Sequence, residues 1–205
     1  SEEDLRRPEL LETVAETLAA LHSSGAAVAV EFSAFRVVER YEATARQRGA
    51  SIPADYARAR ACAERIEAAL GDAGEHEPVL CHNDLLAGNL LVEGDGVVIV
   101  DWEYAGMGDR WFDLGNLAVN NGLGSREEDQ LLAAYFGEPP DDRRRASLAL
   151  MRFMSDFREA MWGVVQGTVS DLDFDFDAYA REHFDRMART AGDERFEDWL
   201  EAAGS

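Results

Sequence analysis

The sequence predicts a mostly helical α+β fold with a single β-hairpin near its middle. Three observations carry that expectation. Apolar residues recur at three- and four-residue spacing on both sides of the centre, as Leu10, Val14, Leu18 and Leu21 do early and Leu150, Met154, Phe157, Met161 and Val164 do late. The clear β-rich runs are confined to residues 79–100, where Leu90–Val92 and Val97–Val100 flank Glu93-Gly94-Asp95-Gly96. No internal repeat and no long linker divides the chain.

The first predicted helix has Pro8 near its start and Gly25 beyond its end. Phe35–Arg48 and Asp55–Leu70 read as two more, with Gly49 and Pro53 punctuating the gap. After Pro78 comes the short apolar run Val79-Leu80-Cys81, then the hairpin. Helical texture returns after Trp111. Ser125-Arg126-Glu127-Glu128 reads as a capping box that opens a short helix. The longest helix is expected from about Asp142 to Val169, followed by Tyr179–Ala191 and Glu194–Ala202. The pattern gives a helical part over 1–75, a loop-and-hairpin segment over 76–121 and a second helical part over 122–205.

The 205 residues suit one domain, or one large lobe, with 46% apolar and 30% charged residues. Acidic residues outnumber basic ones 41 to 20, for a net charge of −21. That field repels phosphate backbones and argues against nucleic-acid partners, while favouring cationic small molecules and metal ions. All 20 basic residues are arginine, so this chain offers no Schiff-base or phosphate-pairing lysine. Cys62 and Cys81 make no disulfide framework, and with His76 and His82 they lack zinc-site spacing. No run of about 18 apolar residues is present, so no membrane span is expected. The acidic start Ser-Glu-Glu-Asp is unlike a signal peptide, and the expected setting is cytoplasmic.

The chemistry is concentrated in His82–Asn116, HNDLLAGNLLVEGDGVVIVDWEYAGMGDRWFDLGN. A hairpin returns the chain close to where it left, so Asp101 is expected near Asn89. An amide oxygen and a carboxylate converging on one point form a hard-oxygen site suited to Mg²⁺. Asp84, five residues before Asn89 on the same loop, is placed to accept a proton from a hydroxyl attacking a phosphoryl group.

These motifs resemble the catalytic core of the aminoglycoside phosphotransferase and choline kinase superfamily, most nearly its choline/ethanolamine kinase-like branch. The matching stretches are His82–Leu91, Ile99–Ala105 and Phe112–Asn116, with Leu18-Ala-Ala-Leu-His22 before them and Glu159–Gln166 and Asp173–Phe176 after. The resemblance implies the C-terminal lobe of a protein-kinase-like fold, and an ATP- and Mg²⁺-dependent phosphotransferase. Its acceptor would be the hydroxyl of a small aminated alcohol of the choline or ethanolamine type. Asp84 would be the catalytic base, and Asn89 and Asp101 the Mg²⁺ ligands. Leu91 and Val100 would form the floor under the adenine. His82 and Asp113 would support the loop rather than react. The implied N-terminal β lobe, with its glycine-rich loop and lysine, is expected to be absent. Gly106-Met-Gly108 and Gly122-Leu-Gly124 are too short for that loop and follow the catalytic segment. Weak activity of this lobe by itself is therefore expected, with the missing lobe as a partner in cis. Self-association through the apolar surface around Leu91 and Val100 is the alternative.

A quaternary ammonium would be held by aromatic faces, with Trp162, Tyr104 and Trp111 available. Glu159 stands where choline kinases often place another Trp, and Asn120 where a Glu often helps hold the ammonium. Glu159 and Asp156 are instead suited to a primary amine, as in ethanolamine, an amino sugar or an aminoglycoside. Core packing is the competing role for Trp162. A non-catalytic amine- or partner-binding module is the remaining functional alternative. Asp171, Asp173, Asp175, Asp177 and Glu182 mimic calcium-loop spacing, but Phe176 occupies the position that requires glycine.

Overall fold

The computed structural model describes residues 1–71, 77–94 and 96–205. A short α1 (Glu2–Leu5) leads into α2 (Pro8–Ser23), α3 (Ala34–Gln47) and α4 (Tyr56–Gly71). Strand β1 (Val79–Cys81) follows, then a 3-10 turn at Ala87–Asn89 and the hairpin strands β2 (Leu90–Glu93) and β3 (Gly96–Ile99). Strand β4 (Gly106–Gly108) precedes α5 (Arg110–Asn120), α6 (Ser125–Phe136), α7 (Asp142–Val169), α8 (Phe176–Ala191) and α9 (Phe196–Ala203). Asp95, His76 and the 75/76 boundary lie outside the described residues.

Two local expectations are corrected. The N-cap of α6 is Gly124, one residue before the expected cap, and its N–H donates to Glu127 Oε2 at 3.1 Å. Glycine has no side chain to return the bond, so only half of a capping box forms. The second β element also escaped the sequence pattern. β1 pairs antiparallel with β4, Val79 opposite Gly108 and Cys81 opposite Gly106. An edge at residues 30–32 lies beside β4, where Met107 N–H donates to Val30 O at 2.7 Å and Phe32 N–H to Met107 O at 2.9 Å. A Cβ at Gly106 or Gly108 would come within 3.1 Å of that backbone. The two glycines therefore serve close strand packing.

The hairpin keeps its expected register, Leu90 opposite Ile99 and Leu91 opposite Val98. Its two faces differ. Leu90, Val92 and Val97 line a cavity shared with Leu5 and Leu10, whereas Leu91 and Val98 lie on the opposite, open face.

Helix α7 is the axis of the core. Asp141 caps its start by accepting from Arg144 N at 2.8 Å. It packs against α3, α5, α8 and α9, so burial extends well beyond its apolar stripe. Ser155, Asp156, Arg158 and Glu159 are buried with Phe153, Met154, Phe157 and Met161. Helix α5 crosses α7 where Gly115 removes the side chain. A Cβ there would lie 2.7 Å from the Met151 carbonyl carbon and 2.8 Å from Arg152 N.

That crossing cannot widen without moving α5. Gly115→Ala is expected to destabilise the fold by about 1–3 kcal/mol through overpacking. Gly167→Ala, whose Cβ would meet only Phe176 Cβ at 3.6 Å, is the matched control, expected neutral or stabilising. Urea unfolding of both variants measures the contrast, and equal effects would show that α5 and α7 are not closely packed there.

Candidate active site

The segment 82–85 has no regular hydrogen-bonding partner of its own, and α5 supplies one. Asp113, wholly buried, accepts from His82 N at 2.8 Å through Oδ2 and from Asn83 N at 2.6 Å through Oδ1. Asn116 Oδ1 accepts from Leu85 N at 2.6 Å, and Asn121 Nδ2 donates to Leu85 O at 2.9 Å. His22 reaches in from α2, with Nε2 3.1 Å from Asp113 Oδ2 and Nδ1 2.7 Å from the Tyr135 hydroxyl. With Asp113 as acceptor, His22 Nε2 is the donor and Nδ1 accepts from Tyr135. His82 braces the same loop. Its Nε2 donates to Val100 O at 2.9 Å, and its Nδ1 accepts from Asp84 N at 3.2 Å.

This clamping holds the backbone in unusual conformations. Asn83 has φ 67° and Asp101 has φ 64°, and these are the non-glycine residues with positive φ among those described. Asn and Asp tolerate that region better than other residues, at a cost of about 1–3 kcal/mol. The Asn83 amide repays part of it by donating to Tyr104 O at 3.0 Å.

Asp84 projects from the loop toward α7. Arg158 NH2 meets Asp84 Oδ1 at 2.8 Å, and Arg158 NH1 donates to Asn83 O at 2.7 Å. The same guanidinium bonds Glu159 Oε1 and stands 5.2 Å over the Tyr104 ring. Glu159 Oε2 accepts from the Tyr179 hydroxyl at 2.7 Å. Burial by itself would push the Arg158 guanidinium down, but the Glu159 and Asp84 carboxylates hold it above its ordinary value. Burial likewise opposes charge on Glu159, and Arg158 outweighs it with the bond from Tyr179, so Glu159 lies below the ordinary 4.5. Burial also raises the phenols of Tyr104 and of Tyr41 on α3, in both cases against the Arg158 charge.

Asn89 donates through Nδ2 to Asp84 O at 2.9 Å and more distantly to Oδ2 at 3.4 Å, which leaves its Oδ1 without a partner among the described residues. Val100 N donates to Asn89 O at 3.0 Å, so the hairpin brings Asp101 next to Asn89 in register. The Asp101 carboxylate is exposed and has no hydrogen-bond or ion-pair partner among the described residues. An open amide oxygen beside an uncommitted carboxylate fits a hard divalent cation that retains water. Leu91, 50% exposed, and by strand alternation Val100 share the open face of the hairpin.

The remaining predicted ligand residues separate. Tyr104 lies under the Arg158 guanidinium, and Trp162 stands one turn beyond Arg158 and Glu159 on α7. Trp162 also meets Phe176 and Tyr179 edge-on at 5.8 and 5.7 Å, so it packs against α8 while staying partly exposed. Trp111 is corrected to the core: it is 1% exposed, its ring 5.3 Å from Phe136, and no ligand reaches it. Asp156 is corrected likewise. It faces α8, where Oδ1 takes His183 Nδ1 at 2.8 Å and Arg186 Nε at 2.7 Å. Glu159 has both oxygens engaged by Arg158 and Tyr179, which removes it as a free partner for an amine. Asn120, in the last turn of α5, has a buried Nδ2 without a partner among the described residues, and it bonds none of these groups. Asp175 caps α8 by accepting from Ala178 N at 2.8 Å.

Sequence reading missed Arg158, Tyr179 and Tyr41. The one signal for Arg158 was its place between the apolar stripe and Glu159, where an arginine reads as solvated. A tight group of His22, Cys81 and Asp113 also has metal-ligand geometry. Both His22 nitrogens and both Asp113 oxygens are already hydrogen-bonded, and burial pushes the Cys81 thiol up, with Asp113 and Asp109 adding to it. A neutral thiol among satisfied partners is packing rather than coordination.

The profile of the phosphotransferase enzyme family matches residues 1–148. The structure of a choline/ethanolamine kinase family protein from Mesorhizobium loti superposes with a TM-score of 0.92 at 30% identity, covering 100% of this chain and 70% of that one. Choline kinase LicA from Streptococcus pneumoniae shares the fold at a TM-score of 0.78 and 21% identity, over 94% of this chain and 66% of that one. Ethanolamine kinase 2 of Rattus norvegicus is 32% identical over 129 residues, which cover 53% of this chain and 33% of the kinase. The chain thus spans about a third of that relative's length.

The folded pKa of Glu159 lies below its unfolded value, so the stability it confers is complete above pH 4.5 and is lost as pH falls through the depressed value. Glu159→Gln is expected to cost about 3 kcal/mol at neutral pH, because it strands part of the buried Arg158 charge. In urea unfolding the gap to wild type is expected to close as the buffer is taken below pH 4.5. A gap independent of pH would mean that the Glu159 charge does not hold Arg158.

Proposed function

The chain belongs to the phosphotransferase enzyme family, and from that membership we propose phosphoryl transfer from ATP to the hydroxyl of a small aminated alcohol of the choline or ethanolamine type. The observation that carries the reading is the state of Asp84. Its Oδ1 is fixed by Arg158, while Oδ2 has only the long contact with Asn89, on a loop whose backbone is pinned by Asp113. A carboxylate so restrained, 14% exposed, can orient one hydroxyl through Oδ2.

In the proposed step the acceptor oxygen attacks the γ-phosphorus in line and its proton passes to Asp84 Oδ2. The new phosphorus–oxygen bond forms as the bond to the β-phosphate oxygen breaks, and ADP leaves with that electron pair. Asn89 Oδ1 and the Asp101 carboxylate would hold Mg²⁺, which supplies charge neutralisation to the phosphates. The open face of Leu91 and Val100 is the apolar floor for the adenine. For the cationic end of the acceptor, the Tyr104 face is already covered by Arg158 and Glu159 is spent. Trp162, edge-on to Phe176 and Tyr179, is the aromatic face left to attract an ammonium.

Assay of the full-length protein with ATP and choline, ethanolamine and an amino sugar tests the reading. Turnover of choline or ethanolamine is expected, and Asp84→Asn should lower kcat by about 10²–10⁴-fold in a protein that still folds, with a lowered Tm because Arg158 loses one of its two carboxylates. Near-full activity of Asp84→Asn would remove Asp84 as the base. Turnover restricted to the amino sugar would reassign the acceptor. Trp162→Ala should raise KM for choline by about 2- to 30-fold at nearly constant kcat.

A further inference from the structure

Four of the chain's 20 arginines converge on one cleft in a molecule of net charge −21. Arg152 of α7, Arg186 and Arg189 of α8, and Arg195 before α9 line it, with Thr190 and Trp199. The cleft measures about 290 Å³. It is separate from the Asp84 loop. Asp156, which lines the cleft, stands two residues from Arg158, so the two leave α7 roughly 200° apart.

The carboxylates lining the cleft are already committed. Asp156 is held by His183 and Arg186. Asp193 takes Arg195 N and Nε at 2.9 Å each and NH2 at 2.8 Å. Among the described residues one guanidinium and one further donor atom are left over. Arg189 has no carboxylate partner among the described residues. Arg152 pairs with Glu128 through NH1, yet its Nε is buried with no acceptor. A buried donor without an acceptor costs about 1–3 kcal/mol, and such groups commonly mark a missing water or ion.

We propose that this cleft binds a small oxyanion, phosphate or a phosphomonoester. Several acceptor oxygens on one centre match guanidinium groups that approach from three helices, which a single-acceptor anion cannot do. The volume is roughly ten times the ~30 Å³ share of a water molecule, which leaves room for an ester substituent beside Trp199. Arg195 stands 5.0 Å over that indole and fixes it as one wall. An anion there ties α7, α8 and the start of α9 together, so binding stabilises the folded chain.

The test uses inorganic phosphate and ethyl phosphate as probes, with sodium chloride at equal ionic strength as reference. About 10 mM of either probe is expected to raise Tm by about 3 °C over chloride. It is also expected to broaden its own phosphorus NMR line. Arg189→Gln changes an exposed side chain and should leave the fold intact while abolishing both effects. Arg152→Gln should weaken them. A larger shift with ethyl phosphate identifies the monoester as the ligand, and equal shifts identify free phosphate. Phosphate also stabilises proteins by exclusion from their surfaces. A Tm rise that persists undiminished in Arg189→Gln, or an unbroadened line with wild type, overturns the proposal.

Discussion

The Asp113 carboxylate, shielded from water, receives the backbone N–H groups of His82 and Asn83 and lies against His22. Removed from solvent, an ionised carboxylate must be met by donors on every side, and a loop backbone is the readiest source. The same bonds leave the loop little freedom. They set Asn83 into its positive-φ conformation, aim Asp84 at α7 and deliver Asn89 to the hairpin that ends at Asp101. Helix α5 can present Asp113 there because Gly115 lets it lie against α7, and α2 contributes His22 from the other side.

A second set of buried charges continues from that loop into the helical body. Asp84, Arg158, Glu159 and Tyr179 are joined by direct hydrogen bonds. One turn along α8, the His183 ring lies 4.5 Å from that of Tyr179 and bonds Asp156, which is also bonded to Arg186. Each charge is tolerable because its neighbour is opposite and close. The arrangement differs from an aromatic cage. A guanidinium occupies the face of Tyr104, and the carboxylate of Glu159 is consumed in holding it. What remains open to a cation is a narrower aromatic surface at Trp162.

The helices and the hairpin were legible because their signals are local. The α7 boundaries fall at Asp142 and Val169 as the apolar periodicity and the capping Asp141 require. The hairpin register follows from alternation around a four-residue turn segment. Strand β4 was not legible, since Gly-Met-Gly carries no strand propensity and is extended only because Val79–Cys81 and Val30–Phe32 flank it. Trp111 and Asp156 were misread for a related reason. Both are residue types that bind ligands when exposed, and only packing decides exposure. Trp111 is enclosed beside Phe136, and Asp156 is enclosed by α8.

By itself the sequence determined the order of the longer helices and the hairpin, the family and the polar residues of the loop–hairpin segment. Those depend on short-range spacing and on residue chemistry, which the chain carries wherever it folds. The tertiary structure decided which charges are spent on one another. Arg158 lies 74 residues from Asp84, and Asp113 lies 31 residues from His82. Their pairing exists only because α5 and α7 bring them into a dry interior, where an unpaired charge is not tolerated. Burial converts residues that read as solvated into fixed partners, and no pattern along the chain records which pairs will form.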